Sequence, residues 1–329
     1  MTAAAGLARH HPGMQTLTSA PSAVLDWLLS SDPSIRWQVL RDLTEAPAAE
    51  VAAERARVAT EGWGAAILAR QQSDGTWPTT YDEKEWTTTP EGSAFVNLIW
   101  LKDLGLDPAS EEARRAVGRV RDQVTWHWWD DHPFFVGEVE PCINSRVVGV
   151  GAYFGEDVSG LVERLLGEQM ADGGWNCEQE NGSTRGSFGT TINVLEAFLE
   201  LERAGRAAAD VTAARIRGQE YLLERSLMRR KSTGEVIDTK MLAFLFPPGW
   251  HYDVLRALDY FRLAGPPDPR MTEAVEIVRS KRNDDGRWLL DYAMPTHVIG
   301  GPTEVIDEPS RWNTLRALRV LRWWEHAGR

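Results

Sequence analysis

The chain has 329 residues, a net charge of −12, 43% hydrophobic content and 15 tryptophans. That acidic balance excludes nucleic acid and anionic membrane surfaces as bulk partners, because both would repel it. No run of about 18 apolar residues exists to span a bilayer, and two cysteines are too few for a disulfide framework, so a cytoplasmic compartment is expected.

Residues 1–20 lack the charged and apolar regions of a signal peptide and are expected to form a flexible N-terminal tail. From 21 to 329 the chain reads as one domain, and almost every long segment in it as helix. Mostly apolar helices are expected near 23–43, 88–105, 141–154, 187–204, 250–264 and 309–325. More charged, amphipathic ones fall between them, near 49–71, 111–126, 158–170, 211–228 and 270–282. Asp32-Pro33, Asp107-Pro108 and Asp268-Pro269 each read as an N-cap followed by proline at the first helical position. Alternation of this kind predicts an inner ring of helices wrapped by an outer ring, an all-α, single (α/α)6 toroid. An irregular bundle or solenoid is the alternative.

One turn motif occurs three times: Gln71-(x)2-Asp74-Gly75-x-Trp77, Gln169-(x)2-Asp172-Gly173-x-Trp175 and Arg282-(x)2-Asp285-Gly286-x-Trp288. Asp-Gly supplies a tight turn with positive φ at glycine. The tryptophan is placed to cover the junction between neighbouring helices, and the leading polar residue to reach backbone groups at a helix end. The motif resembles the QW repeats of the squalene–hopene cyclase and protein prenyltransferase superfamily, over about residues 60–329. That resemblance implies a terpenoid-cyclase-like toroid and an enzyme acting on an isoprenoid or another apolar small molecule in a central aromatic pocket. Departures from the family are specific. The Asp-x-Asp-Asp acid motif of the cyclases is missing, and Gly189 stands where prenyltransferases carry a zinc-binding histidine.

In a toroid the inner-helix N-termini gather at one end, where the loops are long, so a site is expected there. Cys142, Cys177 and His251 all fall at that end, and two thiolates with an imidazole are a donor set for zinc with a fourth position open. The plainer reading makes the cysteines small buried hydrophobes and His251 a helix-start residue. Asp253 and Glu178 are candidate fourth ligands or acid–base groups, and Asp238 a candidate protonating acid. Trp250, Tyr252 and Trp312 are candidate pocket walls, with Arg146 and Arg185 as clamps for an anionic group. Two further functions suit the same fold: a non-catalytic binder of an apolar metabolite, and a carboxylate-dependent glycoside hydrolase or lyase with tryptophan platforms.

Overall fold

The computed structural model describes residues 22–79, 86–293 and 301–327; the expected tail, 1–20, lies outside them. In chain order the first helices are α1 (Ser22–Leu29), α2 (Pro33–Leu43), α3 (Ala48–Ala56) and α4 (Gly62–Leu68). Next come α5 (Pro90–Leu104), α6 (Glu111–Gln123), α7 (Pro141–Phe154) and α8 (Ser159–Gly167). The rest are α9 (Phe188–Arg203), α10 (Ala209–Leu223), α11 (Val254–Ala264), α12 (Thr272–Ser280) and α13 (Arg311–Ala327).

Helices α5, α7, α9, α11 and α13 pack in sequence, and α13 packs on α2. Trp37 on α2 donates from Nε1 to the Leu104 carbonyl at the end of α5 (2.9 Å), which closes the ring. Six inner helices therefore run parallel, each reached by way of outer ones, in an all-α toroid. Burial explains the division. Every residue of α7 from Pro141 to Ala152 is buried, whereas α6 buries only the stripe Ala113, Ala116, Val117 and Val120. Such a stripe is what a helix with one solvent face presents.

The expected helix 23–43 is two helices. Asp32 caps α2, accepting from Ser34 N (2.8 Å), and its other oxygen accepts from Trp63 N at the start of α4 (2.8 Å). Of the pair, α2 joins the inner ring, while α1 packs beside Trp288 and supplies the sixth outer helix; a Cβ on Gly286 would meet Val24. Asp107 closes a turn rather than a helix start, and Ser110 caps α6 instead, accepting from Ala113 N (3.1 Å).

The three motif copies share one set of bonds. Each tryptophan donates from Nε1 to the carbonyl ten residues earlier: Trp77 to Ile67 (2.8 Å), Trp175 to Leu165 (2.7 Å) and Trp288 to Val278 (2.7 Å). Each tryptophan amide donates to a hydroxyl on the next inner helix: Ser93 (3.1 Å), Thr191 (3.0 Å) and Thr314 (3.0 Å). The motif glycines have φ of 86°, 87° and 84°, the left-handed region that glycine enters without cost. Gln71 and Gln169 each donate to their own turn and to the next outer helix, at the Ala116 and Ala214 carbonyls (both 2.9 Å).

Packing around the second copy is tight enough to test. A Cβ on Gly218 would lie 2.7 Å from the Trp175 ring and 2.9 Å from Leu195. Gly218→Ala is therefore expected to destabilise by about 1–2 kcal/mol, overpacking outweighing the gain in helix propensity. An unchanged or raised urea midpoint would refute this close fit.

Candidate functional site

The N-terminal mouth of the ring, where the site was expected, is filled. Residues 243–250 enter it: Phe246 stacks on Trp312 (ring centroids 4.1 Å apart), and Trp250 stacks on Phe95 (5.8 Å). Trp250 also meets Trp86 edge-on (5.4 Å), and Phe246 meets Trp100 (5.6 Å). The segment is tied down by Asn313, which donates to the Phe244 carbonyl (3.1 Å), and by Arg316, which donates to that of Leu245 (3.0 Å). Aromatic side chains at this end are thus spent on mutual packing.

The central cavity, about 480 Å³, lies on the far side of this plug and runs from Arg146, Arg256 and Trp312 toward the C-terminal ends of the inner helices. Phe246, Pro248 and Trp312 meet it from the plugged end. Its walls are charged. Nine arginine and lysine side chains line it against four acidic ones, the reverse of the balance over the whole chain. Converging helix C-termini favour cations there through the backbone dipoles.

Glu196 on α9 is the hub of one ion network. Arg256 reaches it with two nitrogens (2.8 and 2.6 Å) and Arg146 with one (3.0 Å). Burial works to raise the Glu196 pKa, but Arg256, Arg146 and Lys102 outweigh it and hold the group at about 2. Asp259 on α11 is the second hub, bonded by Arg262 (2.9 Å) and Arg319 (2.7 Å). Burial opposes its charge as well, yet Arg319, Arg262 and Arg316 keep it well below the usual carboxylate range.

Asp103 and Glu200 are the remaining lining acids, and both act on Lys102. Lys102 is desolvated, but Asp103 and Glu200 more than compensate and raise its pKa. Asp103 binds Lys102 directly (2.7 Å), and Glu200 stands 3.9 Å from Arg203. Aromatic surface comes from Trp37, Tyr153, Tyr260 and Trp312. Arg55 donates to the Tyr153 hydroxyl (2.8 Å), and Arg41 lies over the Trp37 ring, 4.5 Å from its centroid.

Of the residues expected to form a site, Arg146 and Trp312 line this cavity. Trp250 belongs to the aromatic plug. Tyr252 is buried and donates to the Leu227 carbonyl (2.6 Å), a packing role. Arg185 is exposed on a loop, where its carbonyl accepts from Asn176 (2.8 Å), and it does not line the cavity. Glu178 and Asp238 are exposed as well. Glu178 accepts from Asn181 (2.8 Å) and Asp238 from Lys240 N (2.9 Å), so both stabilise loop turns. Asp253 is fully buried and caps α11 through Arg256 N (2.7 Å). Burial raises its pKa against the opposing pull of Arg316, and its Oδ2 has no hydrogen-bond partner.

The expected zinc triad comes together in part. Cys142, Cys177 and Glu140 place their ligand atoms within 4.8 Å of one another, a cluster able to hold a metal ion. His251 stands apart. Its Nε2 donates to the Ala243 carbonyl (3.1 Å), and its own carbonyl accepts from Arg256 (2.9 Å). The imidazole is occupied by the plug segment, which carries it away from the thiols.

Sequence reasoning passed over Lys102, Asp103, Glu196, Arg256, Asp259 and Arg319. A signal was present: Arg256, Asp259 and Arg262 recur every three residues on an otherwise apolar helix, as do Arg316 and Arg319. Charged residues at that spacing share a face, and in a closed ring a polar face on an inner helix can only look at the axis.

Among the described residues no helix is long and apolar enough to cross a membrane. No family model matches the chain, and no curated protein matches it. Among solved structures it is similar to a glycosyl hydrolase family 88 protein from Bacteroides vulgatus, at 13% identity and a TM-score of 0.46, over 93% of this chain and 90% of the other.

Proposed function

We propose that the protein is a carboxylate-dependent enzyme that takes an acidic saccharide into the central cavity and cleaves a glycosidic bond there. The observation that carries this reading is the surplus of guanidinium and ammonium groups in the cavity wall, nine against four acids, within a protein of net charge −12. Arginines present fork geometry suited to carboxylate or sulfate groups, and the cavity volume lies within the range of small-molecule sites. An apolar ligand would have to desolvate these charges without replacing their hydrogen bonds, which argues against an isoprenoid.

Glu196 and Asp259 are committed to holding arginines. Asp103 is paired with Lys102 rather than with an arginine, and Glu200 stands 3.9 Å from Arg203; we assign these two as the acid–base pair. Tryptophan and tyrosine faces, Trp37 and Tyr153 among them, would flank the sugar ring.

The test is a panel of uronate-containing and neutral oligosaccharides incubated with the full chain, with new reducing ends measured. Uronate substrates should be cleaved and neutral counterparts left intact. Asp103→Asn and Glu200→Gln should each lower turnover by about 100-fold or more, as loss of a general acid or base does, while calorimetry still shows binding. Binding without any bond cleavage would make the protein an anion receptor instead. No discrimination between acidic and neutral sugars would sink the proposal.

A further inference from the structure

Glu140 and Cys142 sit together at the start of α7, and Cys177 comes from a separate turn; each is fixed by its own local structure. Glu140 precedes the first turn of α7, where its amide donates to Glu138 Oε1 (2.6 Å). Cys142 is the second residue of α7, buried, and donates its thiol proton to Glu140 Oε2 (3.2 Å). Cys177 opens the short turn Cys177–Gln179 after the second motif. Its sulfur lies 3.0 Å from the Thr190 hydroxyl on α9, and its amide reaches the same oxygen (3.3 Å).

We propose that these three side chains bind a soft divalent cation of the zinc class, with one coordination position open toward solvent. Tetrahedral zinc with ligand distances of about 2.3 Å to sulfur and about 2.0–2.2 Å to oxygen sets the donor atoms roughly 3.5–3.8 Å apart. The three atoms here already lie within 4.8 Å of one another, so closing the shell draws them together by about 1 Å. Two thiolates select a soft or borderline cation over magnesium or calcium. Binding replaces the thiol proton now shared with Glu140: two protons leave to solvent as one cation enters, and the ligands supply three negative charges to its two positive ones. Glu140 is exposed and Cys177 half-buried, which leaves the fourth position to water or an exogenous ligand. Thr190 supports Cys177 from outside the ligand shell. The site is independent of the cavity and of the saccharide reading, because none of its residues lines that cavity.

The experiment uses the full untagged chain, reduced, stripped with chelator and titrated with Co(II) without oxygen. A thiolate-to-cobalt charge-transfer band should saturate at one cation per chain, release two protons and be displaced by Zn(II). Cys142→Ser and Cys177→Ser should each abolish the band while far-ultraviolet dichroism stays helical. Thr190→Val should weaken binding about tenfold and shift the band, and His251→Ala should leave the titration unaltered. Absence of a band in fully reduced protein would overturn the site. So would a band that survives either serine variant or depends on His251.

Discussion

Glu196→Gln is expected to cost about 3 kcal/mol at neutral pH, and that cost should vanish in acid. The substitution keeps the shape and removes the charge that Arg146 and Arg256 share. Those two guanidiniums are 8% and 2% exposed, so they cannot recover full hydration, and leaving buried charge unpaired is what makes such losses large. The pH dependence follows from the depressed pKa. Glu196 is held at about 2 in the folded chain against an ordinary 4.5, so its contribution is complete above the unfolded value. It is lost as pH falls from 4.5 toward 2. That displacement corresponds to about 3 kcal/mol at 1.36 kcal/mol per unit. Urea midpoints of wild type and variant should differ widely at pH 7 and converge near pH 2. A gap of constant size across that range would show that the pair is not what stabilises the ring.

The same network shows how much of the fold and site could be seen in the sequence. The alternation of apolar and amphipathic helices was legible because the two rings bury different fractions of their surface. The third inner helix was placed at 141–154, and α7 spans Pro141–Phe154. The first helix was misjudged because Ser30-Ser31-Asp32-Pro33 breaks it into two helices that serve different rings. The two ends of the toroid differ in how they are filled. Long loops and aromatic residues marked the N-terminal mouth, but Phe246 and Trp250 fill that mouth rather than line a pocket. What remains open is the end where α9 and α11 carry Glu200, Arg203 and Arg262.

The metal donors divide along the same line. Cys142 and Cys177 are adjacent because α7 and α9 pack directly and Cys177 is held against Thr190 on α9 (3.0 Å). His251 shares their end of the ring but not their neighbourhood. A position at one end of a barrel fixes a residue's height, whereas ligation depends also on its angle about the axis. Glu140 stands two residues before Cys142, and the turn of chain into α7 brings its carboxylate back to the thiol.

Trp175→Ala is expected to be the most damaging single truncation, at about 3–5 kcal/mol. The ring is fully buried and packs edge-on against Phe198 (5.8 Å). Losing it opens a cavity between α8, α9 and α10 and leaves the Leu165 carbonyl without its donor. Trp175→Phe keeps most of the volume and should cost less, about 1–2 kcal/mol for the lost hydrogen bond and the smaller ring. Gln169 separates a brace specific to one hairpin from a general turn signal. It ties its own turn to α10 through Ala214, whereas among the described residues the hydrogen bond of Arg282 in the third copy goes to its own turn, at Gly286 (3.5 Å). The difference arises where the ring closes: the outer helix beside the third copy is α1, which comes from the opposite end of the chain. Gln169→Leu should therefore destabilise by about 1 kcal/mol or more, with a buried carbonyl left bare, and should couple to Trp175→Phe in a double-mutant cycle. Arg282→Leu should fall within about 0.5 kcal/mol of wild type. Equal losses at 169 and 282, measured by urea unfolding, would show that the leading residue of the motif supports the turn alone and does nothing to join one hairpin to the next.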